Sequence, residues 1–329
     1  MWHARRGGII FIVWVLIFSN ALYSQCCSSG NPVSGTTNIG VLDKHAFRLI
    51  TYYQHSYSDG YYTGSKKSDF SFVKDAKFDY AGLVLSYGLF NRITLETELG
   101  YFIGKSQTYN LSPLYTNTGY GLNNGVVSLK YNLLSKKEIP LEWTISAGAK
   151  FPFAKTYQLV NNVQLPRDVQ PSTNAFGVVL QSFFYKGFAE KKIKLFLINR
   201  FETNFSDYTQ YKVGNFLMSS VFFTKTIGNS NFTVIISARN EYRGKDITNA
   251  VFCCNGTPTG SLVNASGGSI FFIAPQLNYT MAKKWNLSIV TDFPVYGYYN
   301  GTQLGNKFSY SVYLVRSFAK KCETIPVSK

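Results

Sequence analysis

Beyond residue 18 the sequence has no uninterrupted apolar run approaching the roughly 18 to 20 residues that a membrane-spanning helix requires. The one pronounced run, Gly7 to Phe18 (GGIIFIVWVLIF), is twelve residues long and also falls short. It follows a start that carries Arg5 and Arg6 and no acid, and it precedes the small and polar stretch Ser19 to Gln25. A positive start, a short apolar core and a small-residue exit are the marks of a cleaved secretory signal. Residues 1–25 are therefore read as a signal peptide cut near Ser24 or Gln25. An uncleaved anchor is the alternative, and the shortness of the run weighs against it. Lipidation of Cys26 fits poorly, because Tyr23 and Gln25 are not the small residues that such a site wants.

Other scarcities narrow the function. Charged residues make up 15% of the chain, against about 25% in soluble domains. Histidine occurs three times; His3 lies in the leader, which leaves His45 and His55. A Ser–His hydrolase needs an aligned nucleophile and an orienting group, yet Ser56, beside His55, points to the opposite face of any strand. A membrane-embedded hydrolase is thus the weakest reading, and the chain is read as not an enzyme. The sequence shows no metal-ligand spacing, phosphate loop or dinucleotide fingerprint, so no cofactor is expected. Acids are the rarer charge, 17 against 33 basic residues, for a net charge of +16. No nucleic-acid motif accompanies that excess, so no nucleic-acid partner is expected. Much of it lies in Lys136-Lys137, Lys191-Lys192, Lys283-Lys284 and Lys320-Lys321, which suit the anionic headgroups of a membrane surface.

What the chain does have is aromatic residues, 17% of the total with 24 Tyr and 27 Phe, and abundant Ser, Thr, Asn and Gly. That mixture describes a wall with one face toward lipid and one toward water. Segments of ten to fourteen residues alternate with period two, a pattern that a helix of period 3.6 cannot segregate. From Asn231 on, Phe232, Val234, Ile236, Ala238 and Tyr242 share one face. Thr233, Ser237, Arg239, Glu241 and Arg243 share the other, with Ile235 out of place. Phe196 and Ile198 break the rule in the same way in the segment that starts at Ile193. The pattern predicts about twelve strands, near 44–57, 77–89, 92–104, 122–134, 141–152, 174–187, 191–204, 210–225, 230–243, 266–281, 283–298 and 305–318. Long and short connections roughly alternate, as in outer-membrane barrels with long outer loops and short periplasmic turns. An exposed sheet edge is not tolerated in hydrocarbon, so the sheet must close. The expected fold is all-β, a closed antiparallel transmembrane β-barrel of about twelve strands over residues 44–318. Residues 26–43 form an N-terminal segment, periplasmic or plugging the lumen, and residues 319–329 form a tail. A soluble β-sandwich is the structural alternative, and strands of this length argue against it.

Several local phrases resemble a known family. Tyr87-Gly88-Leu89-Phe90-Asn91-Arg92-Ile93-Thr94-Leu95 is similar to a hairpin common in outer-membrane barrels. Asn124-Gly125 to Tyr131-Asn132-Leu133-Leu134 resembles the next opening strand, and Lys150-Phe151-Pro152-Phe153 its exit. Phe293-Pro294-Val295-Tyr296, followed by Asn300-Gly301-Thr302-Gln303-Leu304-Gly305, is the most specific match. Together they resemble the transporter-type barrel family named for the meta-pathway of phenol degradation, in the version typical of Bacteroidetes-like bacteria, over residues 40 to 318. The chain departs from the family at Asn124-Gly125, where Gly-Asp is common, and in the tail that follows Phe318. The resemblance implies a bacterial outer-membrane location and transport of a small solute, with a hydrophobic or aromatic one in view.

With the apolar faces toward lipid, the candidate lumen-lining residues are Arg48, Glu96, Glu98, Lys130, Glu142, Lys150, Lys194, Arg200, Glu202, Arg239, Glu241, Arg243 and Asp292. Opposite charges on neighbouring strands form ladders, which serve either as a selectivity lining or as a stabilising network in a narrow barrel. Tyr52, Tyr53, Tyr57, Tyr61 and Tyr62 cluster near the first loop, as an interfacial girdle or a stacking surface for a solute. Cys26-Cys27 and Cys253-Cys254 are two double cysteines in an exported chain. A bridge between them would hold residues 26–43 in the lumen, or each is a local loop feature; connectivity does not follow from sequence. The expected function is passive or facilitated diffusion of a small solute through the outer membrane. A surface-interaction barrel with a closed lumen is the alternative.

Overall fold

The computed structural model describes residues 40–136, 140–188, 193–228, 230–248, 261–281 and 285–318. Eleven strands form one closed antiparallel ring. They are β1 (Phe47–Gly64), β2 (Val73–Phe90), β3 (Ile93–Tyr109), β4 (Gly125–Lys136), β5 (Leu141–Phe151) and β6 (Gly177–Phe188). Then follow β7 (Ile193–Asn204), β8 (Phe216–Thr226), β9 (Phe232–Arg243), β10 (Gly268–Met281) and β11 (Trp285–Phe318). Each pairs with the next, and β11 pairs back to β1. The long β11 makes two passes, since residues 285–299 pair with β10 and residues 302–318 with β1. Ser309 accordingly donates its hydroxyl to Asp292, and the Arg316 guanidinium lies over the Trp285 ring. Gly301, with φ at 59°, supplies the left-handed turn between the passes. The barrel therefore has twelve antiparallel passes, the all-β transmembrane architecture that the period-two pattern predicts.

Alternation sorts the side chains as expected. Large apolar residues such as Leu129, Phe223, Ile236 and Ile289 stand on the outer wall, and the inner parity is buried. Inside, an apolar cluster centred on Ile50, Tyr52, Tyr80, Val84, Phe102 and Tyr313 covers one side. Tyr52 stacks with Tyr313 at 5.2 Å between ring centroids and tilts against Tyr80 at 5.8 Å. Inward glycines make this possible. The Tyr52 ring lies over its paired residue Gly82, where an added Cβ would fall 2.0 Å from it. Tyr80 covers Gly100 in the same manner.

The structure corrects the strand ends near the long loops. β1 and β3 run on to Gly64 and Tyr109 and β2 begins at Val73, because their outer ends pair with the short strands Lys66–Ser68 and Tyr115–Leu122 as well as with each other. Residues 210–215 do not belong to the barrel strand predicted there. Tyr211–Lys212 pairs instead with Ile247–Thr248 in a small sheet among the loops. The tyrosine cluster also divides by parity: Tyr52 and Tyr61 are buried inside, while Tyr53 and Tyr57 face outward beside Tyr310 and Phe308.

At the short-turn end the chain enters β1 through a tight turn. Ala46 N–H donates to Asp43 O, His45 N–H to Gly88 O and Gly88 N–H to Ala46 O. Before it, Leu42 is buried and its amide donates to Thr94 Oγ1 on the inner wall at 2.7 Å. Residues 26–39, the signal segment, the tail and all five cysteines lie outside the described residues, as does the proposed bridge.

Gly82→Ala is expected to lower stability by about 1–3 kcal/mol through overpacking against Tyr52. Gly104→Ala, whose added carbon would meet nothing nearer than 3.9 Å, should shift it by less than about 0.5 kcal/mol. The urea midpoint of the barrel in micelles measures both, and equal shifts would mean that the tyrosine simply moves aside.

Candidate functional site

The inner wall carries two sets of charges. On β3, β5 and β7, Lys150 Nζ meets Glu202 Oε2 at 2.8 Å and Arg200 Nε meets Glu202 Oε1 at 2.6 Å. Arg200 Nη1 then reaches Glu98 Oε1 at 2.9 Å, and Gln181 donates to the same oxygen. Nearer the short turns, Lys130 Nζ lies 2.8 Å from Glu96 Oε2, which also accepts the Ser86 hydroxyl. Across the barrel, Arg239 pairs with Glu241 at 2.8 Å and with Asp292 at 3.0 Å, with its guanidinium over the Phe272 ring. Sequence reasoning nominated every residue of these pairs. The remaining nominees sit at the ends. Arg48 is half-buried and donates to Ser317 near the short-turn rim, where Lys194 is exposed and Glu142 lies beside Gly40. Arg243 is at the long-loop end, 5.7 Å from the Phe216 ring centroid.

Several of these charged groups are dry. Glu96 is 0% exposed, Lys130 1% and Arg200 2%. A buried pair holds only as a pair, and loss of one partner costs about 3–5 kcal/mol by leaving the other charge unmatched.

Above the first set lies a cleft of about 820 Å³. Its floor includes Lys150, Glu202 and Asn204, and its walls include Phe102, Phe216 and Arg243. Asn123, Lys150 and Glu202 also line a smaller cavity of about 350 Å³ below it, beside Arg200, Glu98, Tyr52 and Tyr80. The two spaces therefore meet at the top of the charge ladder.

Loop residues that sequence reasoning did not single out roof the cleft. The segment 152–176 turns back over the mouth through a 3-10 turn at Arg167–Val169 and buries Tyr157, Leu165 and Val169. Asn124, at the start of β4, clamps it: its amide donates to Thr173 Oγ1 at 2.7 Å and to Ala175 O, and its oxygen accepts the Ser172 hydroxyl at 2.5 Å. Lys105 Nζ donates to Gln170 O at 3.1 Å. Arg167 is held between the rings of Tyr157 and Tyr211, 4.6 and 3.8 Å from their centroids. It donates to Asp207 Oδ2 at 2.8 Å and to Thr209 Oγ1 at 2.7 Å, and the Tyr157 hydroxyl also donates to Asp207. Tyr211 donates in turn to Asp246 at 2.6 Å. Burial and the bond to Asp246 push the Tyr211 hydroxyl well up. Local signals existed for some of this: Asp207 caps its own turn by accepting from the amides of Thr209 and Tyr211. What no local pattern revealed is that segments 40 residues apart meet over the barrel mouth.

Of the two histidines weighed for chemistry, His55 faces outward, with Nδ1 2.9 Å from Asp79 Oδ1. Ser56 points the other way, into the barrel, and accepts from Asn306. His45 sits at the short-turn rim with Nδ1 2.9 Å from the Tyr87 hydroxyl. Among the described residues no group of His, Cys, Asp and Glu is arranged to hold a metal ion.

No protein-family model matches the chain, and no curated protein sequence does. Solved structures do. An outer-membrane channel from Pseudomonas putida F1 superposes with a TM-score of 0.64 at 16% identity, covering 86% of this chain and 99% of that one. The NanC porin gives 0.44 at 14% identity, over 82% of this chain and all of that one. The KdgM porin gives 0.40 at 12%, over 82% and 99%. At such identities the likeness is one of fold: the chain is built as outer-membrane β-barrels are.

The Asp207 carboxyl is held below its usual range. Burial opposes this, but bonds from Thr209, Tyr157, Arg167 and the Tyr211 backbone outweigh it. A depressed pKa contributes stability that is full above the unfolded value near 3.9 and is lost as pH falls through the folded value. Proteolysis of loops 152–176 and 205–215 in the folded barrel should therefore accelerate below about pH 4. Asp207→Asn should be cleaved faster already at neutral pH and lose most of that acid response; an unchanged acid response in the variant would assign it elsewhere.

Proposed function

We propose that the protein is an outer-membrane channel, exported by a cleaved signal, that passes a small solute entering at the long-loop end. It belongs, in this reading, to the transporter-type barrels named for the meta-pathway of phenol degradation; the ordered phrases between residues 87 and 305 support that membership. The observation that carries the function is the continuity of the roofed cleft with the charge ladder: Lys150 and Glu202 line both the cleft and the cavity beneath it. A cleft walled by aromatic rings, amides and both signs of charge concentrates a small solute at the top of the lumen. Below it the side chains close together, and Leu42 occupies the short-turn mouth, so passage requires the ladder and that segment to rearrange. In this reading the path is gated, and the packed ladder is its closed state.

The dryness of the mid-barrel favours one rival, a closed barrel that displays its loops to a partner. Single-channel recording in planar bilayers separates the two. The channel reading expects discrete openings from the refolded protein. Lys150→Gln, which removes a cation from the cleft floor, should shift the reversal potential in a salt gradient toward cation selectivity. A folded barrel silent under all voltages sinks the channel and leaves the display reading.

A further inference from the structure

The wall formed by β6, β7, β8 and β9 mixes polarity on both faces. Inward it presents the apolar cluster of Phe183, Phe196, Ile198, Met218, Phe222 and Ile235. Outward, among apolar residues such as Leu180, Leu217 and Ile236, it carries Ser182, Asn199, Ser219 and Asn240. These four form one row: Ser182 pairs with Asn199, Asn199 with Ser219, and Ser219 with Asn240. Ser182 and Asn199 fall at the middle of twelve-residue strands, hence at mid-height in the wall. Hydrocarbon offers no partner to a carboxamide, and polar groups on a lipid-facing wall are costly.

The row satisfies itself only in part. The Ser219 hydroxyl donates to Asn199 Oδ1 at 2.8 Å, and the Ser269 hydroxyl to Asn240 Oδ1 at 2.8 Å. Trp143 Nε1 donates to Ser182 Oγ at 3.0 Å. Whichever way each carboxamide is turned, one of its polar ends is left facing out of the barrel.

We propose that this row is the contact face between two copies of the chain in the membrane, related by a twofold axis along the membrane normal. A carboxamide is donor and acceptor at once, so the row is complementary to itself, which is what a twofold contact demands. The row climbs from strand to strand. Two such rows facing each other under that axis cross at their middle, between Asn199 and Ser219, where the Asn199 of each chain meets the other chain's Ser219 hydroxyl or Asn199 amide. Ser182, Ser219 and Ala238 are small, which lets the walls approach closely. Charge on the outward side of these four strands is confined to Lys186 and Lys225 near the short turns, so no charge separates the middle stretches. The contact needs only a membrane setting and does not depend on whether the lumen conducts.

Energy transfer between separately labelled chains in proteoliposomes tests it. Wild-type chains should show transfer, and the double variant Asn199→Leu/Asn240→Leu should lose it. Thr97→Leu, also outward but on β3 across the barrel, should keep it. Leucine suits hydrocarbon, so the double variant is expected to fold, and the heat-dependent gel shift of an intact barrel verifies this before transfer is read. Absence of transfer between wild-type chains, or undiminished transfer in the folded double variant, overturns the proposal. A wild-type chain that associates with a different membrane protein yet shows no transfer to its own copies overturns it equally.

Discussion

Every backbone amide in a bilayer must find its hydrogen bond within the protein, and in this chain a single closed sheet provides it. Closure is what the rest depends on. It fixes an even number of antiparallel passes once β11 doubles back to meet β1. It puts both ends of the barrel sequence, Phe47 and Phe318, at one rim as direct partners. It also divides every strand into an inner and an outer parity, so that side-chain chemistry at each position is judged by a different solvent from its neighbours.

The inner parity then faces a problem of its own. A barrel of this size has an interior too narrow to keep charged side chains fully hydrated and too wide for aliphatic residues alone to fill. The chain meets this with long side chains in matched sets. Arg200 lies between Glu98 and Glu202, and Lys150 completes the set on the next wall. Tyrosines lie flat over glycines and thicken the opposite side. Such sets hold their geometry because breaking one pair strands a charge. A lumen stabilised this way ties its rungs together, since Arg200 bonds both Glu98 and Glu202.

Much of this was legible. Parity and the inward setting of the charged residues follow from a period of two, which is geometry; strand count and loop alternation are read from where that pattern stops and starts. Polarity was the less certain guide. Phe196, Ile198 and Ile235 broke the expected segregation, and all three lie inward in one cluster. Their position followed from alternation and their chemistry did not. Ser182, Asn199, Ser219 and Asn240 are the counterpart on the outer face, since a polar residue at an outward position looks in sequence like a slip of register. Strand ends at the long loops were missed for another reason. β1 and β3 extend past the barrel because distant short strands pair with them, and no local pattern encodes that partner.

The lid and the ladder are linked through the sheet. Lys150, the top rung, pairs with Val126 on one side and Gly177 on the other. Two residues before Val126 is Asn124, which holds the folded-in loop, and two residues before Gly177 is Ala175, whose carbonyl Asn124 binds. The clamp on the lid is thus built from the strand ends that flank the rung beneath it. In the proposed channel, lifting segment 152–176 would release Asn124 at the start of β4 and Ala175 before β6, the strands that flank Lys150. In that proposal a ligand that displaces the loop would act on the Lys150–Glu202 pair through two residues of backbone on either side, without touching the carboxylate itself. That short path is the physical basis for reading roof and ladder as one gate.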